Sequence, residues 1–336
     1  MARLRKATTQ DLMRLDAIAS HLKVKTRFPH PSFFADVAAA SLASMAPIIK
    51  KMSPEKGEDI AVGLGDHLQL TFEEVHGPHD VIKLENHYLK GKKEIGFAQL
   101  RGEINQPGVD ALLFERMHAR DDDPDRWVAV LNLQETEAKA YWNRFHELGH
   151  RIAEPPQGIL PFRRHQFEAS NPVEALIDNV ASNLAFYPPI FRPLVARYCA
   201  RHRLSLDVID AIREKYAPSA SLLSTMNATV HYWPRPAAVL TARYRGRISA
   251  PGTDEALRIM PQGHNDGTVS AGLIFWNNMR VPLDTPIHTA FITGDDHSGP
   301  ENLGNWSTSQ GKRLKPLAVY SSARMLRGCV YAVVSA

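Results

Sequence analysis

The stretch His146-Glu147-Leu148-Gly149-His150 has residue types and a spacing that define a chemistry. Histidines four apart on a helix lie one above the other on one face. Both imidazoles can then converge on a single tetrahedral metal ion. Glu147 stands at the rim of that face, poorly placed as a ligand but able to reach a water at the ion. Two neutral imidazoles and one carboxylate leave a fourth position open, where water has its pKa lowered from about 15.7 to roughly 7. Glu147 accepts the proton as a peptide carbonyl is attacked and passes it to the leaving amine. The expected chemistry is zinc-type peptide hydrolysis, with manganese an alternative that a two-His, one-carboxylate set does not separate from zinc. Gly149 inside a helix costs about 1 kcal/mol relative to Ala. Close approach of another segment, or room for substrate, would explain it. The plain alternative is that His146 and His150, two of 15 histidines, lie on a solvated face.

The third ligand is expected to be acidic and to come from a second helix. Asn171-Pro172-Val173-Glu174 has a good N-cap and a good first helical residue. Glu174 follows His150 after enough chain for a loop and a return helix. Its plain alternative is to close a capping box with Asn171. Asp178, one turn further on, can hydrogen-bond a ligand histidine from behind and is the next choice as ligand, ahead of Glu168 and Glu154. His165, in the intervening loop, is a candidate for touching substrate or the transition-state oxyanion.

The elements that must position these groups follow from periodicity. Apolar residues at three- and four-residue steps (Ala138, Tyr141, Phe145, Leu148, Ile152) predict a helix over Glu135 to Ala153. Further helices are expected at 9–23, with Thr9 as cap, and at Ser32 to Met52. Strands are expected over Ile60 to Phe72, Val81 to Leu84, Val109 to Glu115 and Trp127 to Leu133. Leu206–Tyr216 and Ser221–Val230 form a helical pair of helix-turn-helix length. After Trp233-Pro234-Arg235-Pro236, alternation predicts strands at Ala238–Tyr244, Val269–Trp276, Thr289–Ile292, Leu317–Ser321 and Cys329–Val334. Gly63-Leu64-Gly65 reads as a turn, since Leu68 stands where a dinucleotide loop needs glycine. His76-Gly77-Pro78-His79-Asp80 has a metal-like spacing, but Pro78 suggests a surface turn. Asp295-Asp296-His297 reads as a solvated turn.

With 336 residues, 44% hydrophobic and 23% charged, the chain is long enough for two or three domains. A net charge of +4 is no nucleic-acid signature by itself. Cys199 and Cys329 are in no metal-like spacing and indicate no disulfide framework. No secretory signal is read at the N-terminus. The apolar run Ser32 to Ile49 reads as a buried helix, too short to span a bilayer. A cytoplasmic setting without membrane attachment is expected.

Two segments bear a resemblance. Val128-Ala129-Val130-Leu131-Asn132 leading to Phe145-His146-Glu147-Leu148-Gly149-His150, and Glu174 to Pro188 with Asn179-Val180-Ala181, are similar to the ImmA/IrrE metallopeptidase family. The downstream helical pair and the tail Gly328-Cys329-Val330-Tyr331-Ala332-Val333 look like the three-part IrrE arrangement. The resemblance is specific over about 105–190 and loose elsewhere. It implies an α+β chain with a zincin-like peptidase domain, a helix-turn-helix-like middle and a mostly β, GAF-like sensor domain at the C-terminus. The corresponding divisions are 1–100 (a segment packing on the peptidase domain), 101–200, 201–235 and 236–336. The resemblance carries over His146, His150 and Glu174 as ligands and Glu147 as base. It implies cleavage of a helix-turn-helix transcriptional repressor after stress, with a small-molecule signal at the C-terminal domain. Two departures stand out: the first hundred residues are longer than the family's usual lead, and the Glu174 helix aligns one residue out against its closing proline. The competing readings are a DNA-binding transcriptional regulator with a structural metal, and a toxin–antitoxin or phage-type accessory peptidase. Direct DNA contact is disfavoured because Ser221 to Val230 carries no basic side chain.

Overall fold

The computed structural model describes residues 5–120, 122–134, 139–155, 162–165, 171–246, 252, 254–308 and 310–336, with the backbone path alone for 162–165. The chain is mixed α+β and divides into two compact units, Ala2–Pro188 and Pro189–Ala336.

In chain order the first unit holds α1 (Thr9–His21), α2 (Phe33–Met52), α3 (Gly57–Leu68), β1 (Leu70–Val75), α4 (Pro78–Asn86), α5 (Leu100–Ile104), β2 (Val109–Glu115), β3 (Trp127–Asn132), α6 (Ala140–Ala153), β4 (Phe162–His165) and α7 (Pro172–Ala185). The sheet order is β1-β3-β2-β4. β1 runs parallel to β3, with Leu70 opposite Trp127 and Val75 opposite Asn132; β2 is antiparallel to β3 and β4. β2 and β3 are apolar runs because both faces of the sheet are covered. Val128 and Val130 join Leu112, Phe114, Val81, Leu84 and Leu100 in one core. Ala129 and Leu131 point the other way, toward the side where α6 crosses the sheet.

Several sequence expectations change here. Ile60 to Phe72 is not a strand: it is most of α3 followed by the start of β1. Ile60, Ala61, Leu64 and Gly65 are buried at helical steps. The Asp59 carboxylate accepts the Glu55 and Lys56 amides at 3.1 and 2.9 Å and starts the helix. Gly63-Leu64-Gly65 therefore lies inside α3 rather than in a turn. A Cβ on Gly65 would stand 3.0 Å from Leu70 O, so the glycine lets β1 return close to the helix. Val81 to Leu84 is likewise helical, in α4. Pro78 occupies its first turn, where the missing N–H costs nothing. Thr8, not Thr9, caps α1: its hydroxyl accepts from Asp11 N at 3.2 Å while Asp11 accepts from Thr8 N at 2.7 Å. α2 is 20 residues long and passes, by length and composition alone, as a membrane-crossing helix. In this structure it packs on α3 and α7 through a stripe that includes Phe33, Val37, Ala38 and Ile49.

Gly57 opens α3 against a buried hydrogen bond, Tyr141 Oη to Ala185 O at 2.6 Å. A Cβ there would fall 2.1 Å from the Tyr141 oxygen. Gly57→Ala is expected to displace that hydroxyl and destabilise the unit by about 1–3 kcal/mol. Thermal unfolding checks this, and an unchanged midpoint would contradict it.

The second unit holds α8 (Pro188–Cys199), α9 (Leu206–Tyr216), α10 (Leu222–Tyr232), β5 (Ala237–Arg245), β6 (Ala256–His264), α11 (Gly267–Ser270), α12 (Pro286–Thr293), β7 (His297–Asn302), β8 (Ala318–Leu326) and β9 (Cys329–Ser335). The sheet is antiparallel, in the order β6-β5-β9-β8-β7. One face of β5 (Ala238, Leu240, Ala242) meets Leu273, Ile287 and Ala290. The opposite face includes the buried Ala237 and Val239, and α10 packs on β5 and β6. Leu206 N donates to Ser322 Oγ at 3.1 Å, and Arg324 Nη1 on β8 donates to Asp210 at 2.5 Å, tying α9 to the sheet.

Val269 to Trp276 and Thr289 to Ile292 are not strands. The first is part of α11 and a turn closed by left-handed Gly272, with Leu273 N donating to Thr268 O at 3.0 Å. The second lies in α12, which Pro286 opens and Thr285 Oγ1 caps by accepting His288 N at 3.2 Å. β6 and β7 are strands beyond those that the alternation predicts; His297 begins β7 rather than lying in a solvated turn.

Candidate metal centre

α6 is the helix predicted around the two histidines. It runs Ala140–Ala153, and residues 135–138 lie outside the described residues. Tyr141, Phe145, Leu148 and Ile152 bury its apolar stripe, and α7 packs along it. α7 begins where the sequence predicts: Asn171 Oδ1 accepts Val173 N at 2.9 Å and Pro172 follows as the first helical residue. That start places Glu174 in the first turn, facing α6. Gly149 marks the closest approach. A Cβ there would be 3.1 Å from Ile177 Cγ2 and 3.4 Å from Ile177 O, so close packing of a second helix accounts for the glycine. Gly149→Leu is expected to force α6 and α7 apart, destabilise by about 1–3 kcal/mol and weaken any bound metal. An unchanged unfolding midpoint would count against it.

His146, His150 and Glu174 form a cluster whose ligand atoms all lie within 4.8 Å of one another. Their residues are 1, 4 and 7% exposed, and Glu147 is 1% exposed. His146 Nε2 is 3.1 Å from His150 Nε2 and 3.2 Å from Glu174 Oε2, which is 3.5 Å from His150 Nε2. Behind the rings, His146 Nδ1 meets Asp178 Oδ1 at 2.9 Å and His150 Nδ1 meets Glu154 Oε2 at 3.3 Å.

These contacts test whether the residues suit a metal. Each Nδ1 can donate its proton only to the carboxylate behind it. With both rings neutral, two Nε2 lone pairs converge on a buried carboxylate oxygen, a point that favours positive charge, whether a proton or a metal ion. A tetrahedral ion with bonds of about 2.0–2.1 Å sets its ligands about 3.3–3.4 Å apart, a spacing inside the 3.1 to 3.5 Å range of the three separations. The donor set therefore fits a zinc-type ion.

The carboxylates around the rings draw positive charge to this point. Burial disfavours a charged His150, but Glu174 and Glu154 outweigh it and raise its pKa well above the usual histidine value. Burial likewise acts to raise Glu174, yet His150 and His146 hold it well below the carboxylate range. Burial also acts to raise Glu154, but His150 and Arg14 outweigh it and hold the carboxylate below its ordinary value.

The sequence-predicted residues thus separate by place. His146, His150 and Glu174 come together, and Glu147, next to His146 in α6, is buried. Asp178 meets His146 Nδ1, the position behind the ring that the sequence suggests for it, while Glu154, weighed as a ligand, meets His150 Nδ1 rather than Nε2. Glu168 lies outside the described residues. His165 ends the edge strand β4, and its side chain lies outside what is described. The role of Glu154 was missed, although its spacing of four from His150 was a usable signal. Arg14, which donates to Glu154, had no local signal at all.

No protein-family model matches the chain, and no curated protein matches it. Among solved structures, a Mycobacterium tuberculosis transcriptional regulator is similar over 97% of this chain and 81% of that chain, with 10% identity and a TM-score of 0.41.

Proposed function

We propose that the chain is a metal-dependent endopeptidase of the ImmA/IrrE type, with His146, His150 and Glu174 holding a zinc or manganese ion. The observation that supports this best is the convergence of two Nε2 atoms and one carboxylate oxygen at a buried point against the helix that carries the buried Glu147. The bound ion supplies Lewis acidity, polarising the scissile carbonyl and bringing water within reach of deprotonation near neutral pH. The Glu147 carboxylate takes the proton from the attacking water and delivers it to the departing amine. Asp178 and Glu154 fix the histidine tautomers, so that both Nε2 lone pairs face the ligand position. Burial of all four side chains keeps bulk water from competing at the reacting atoms.

The substrate class rests on the resemblance: a helix-turn-helix transcriptional repressor cleaved in a stress response. Residues 236–336, which hold the antiparallel sheet of the second unit, are in this reading the sensor-like part. The test is incubation of the purified, metal-loaded protein with repressors from the same cell, followed by mass-spectrometric mapping of new N-termini. A discrete cut that disappears on chelation is expected. Stoichiometric metal with no cut in any repressor, together with salt-sensitive retardation of DNA, would favour the regulator with a structural metal instead.

A further inference from the structure

The two carboxylates behind the histidines are held in different ways. Asp178 belongs to α7, the helix that also presents Glu174, so one rigid element aims both. Glu154 follows the last residue of α6 with extended backbone, φ −87° and ψ 138°, so the helix no longer directs its side chain. Its direction comes from elsewhere: Arg14 Nη2 on α1 donates to Glu154 Oε1 at 2.5 Å, while Oε2 faces His150 Nδ1 at 3.3 Å. The two side chains are 24 and 2% exposed. A carboxylate this buried is costly unless it is paired, and here one oxygen serves the guanidinium and the other the imidazole.

α1 is itself anchored. Leu15, Ile18 and Ala19 are buried, and Arg5 grips the capping Asp11 at 2.6 and 3.0 Å. The ring of His150 is thus oriented by a chain of contacts that starts at Arg14, 140 positions before Glu154.

We propose that Arg14 and Glu154 are positioning residues for His150, so that docking of the N-terminal helix α1 sets the affinity of the metal site. This rests on the metal-site reading above. Glu154 presents its carboxylate to the imidazole only while Arg14 holds the opposite oxygen. Displacing α1 frees the ring to rotate and costs a ligand its aim, with no change to any ligand residue.

The test is a double-mutant cycle on the full chain, read as zinc affinity by chelator competition and as the visible absorption of the cobalt-substituted protein. Glu154→Gln is expected to weaken zinc binding by about 10- to 100-fold. Arg14→Met is expected to do the same in kind and to alter the cobalt bands, with Arg14→Lys recovering part of the loss. If Arg14 acts through Glu154, the double variant loses no more than the worse single one. Should Arg14→Met prove too unstable to purify, Arg14→Gln provides the same comparison. Wild-type affinity and unchanged cobalt bands in the single variants overturn the inference, as does a double variant whose losses multiply. A wild-type protein that binds no transition metal overturns the metal-site reading and this inference with it.

Discussion

Glu147→Gln is expected to keep one bound metal and to lose cleavage. The amide has the size of the carboxylate it replaces, so the buried site is not re-packed. The three atoms that could hold the ion belong to His146, His150 and Glu174 and stay as they are. What disappears is the proton acceptor, since a neutral amide takes no proton from attacking water. General acid–base catalysis contributes about 10²–10⁴-fold, which is about 3–5 kcal/mol of barrier at about 1.4 kcal/mol per decade. The measurement pairs metal content with the rate of new N-terminus formation from a repressor that the wild type cuts. A variant that cleaves at the wild-type rate removes Glu147 from the mechanism. A variant that loses metal together with activity would make Glu147 part of the binding site instead.

Removing the metal, or one of its ligands, is expected to have the largest effect on stability. With Nδ1 of each ring committed to Asp178 or Glu154, three electron-rich atoms crowd within 3.5 Å of one another. A bound ion relieves that crowding and links α6 to α7. Free metal at a thousandfold excess over Kd adds about 4 kcal/mol to the folded state. For a unit of this size each kcal/mol moves the midpoint by about 2–4 °C, so chelation should lower it on the order of 10 °C. In His150→Ala and Glu174→Ala the response to added zinc should largely vanish, whatever the metal-free stability of each variant. Differential scanning fluorimetry with and without zinc makes the comparison. An equal zinc-dependent shift in wild type and both variants would show that the ion binds elsewhere.

Legibility in the sequence varied with how local the cause was. α9 and β2 are readable to the residue, and β3, β5 and β9 nearly so, because their apolar patterns are long and consistent; of β8 the alternation shows only the first part, up to Ser321. Segments near residues 60, 81 and 289 were misassigned because short apolar runs suit either period. Capping decided them, through Asp59 on the Lys56 amide, Pro78 and Thr285. β7 is polar and alternately exposed at the sheet edge, so it has no apolar pattern to read; its pairing with β8 makes it a strand.

The sequence by itself determined the pair of histidines one turn apart, the glycine that admits a neighbouring helix, and the Asn-Pro start that brings Glu174 into a first turn. All of these arise from helix geometry and capping within a few residues, where spacing along the chain fixes spacing in space. Only the tertiary structure decided that Asp178 and Glu154 face Nδ1 while Glu174 faces Nε2, and that Arg14 reaches Glu154. Those outcomes depend on how α1, α6 and α7 pack together. Contacts between distant segments are set by the burial of whole helix faces, which local spacing does not encode.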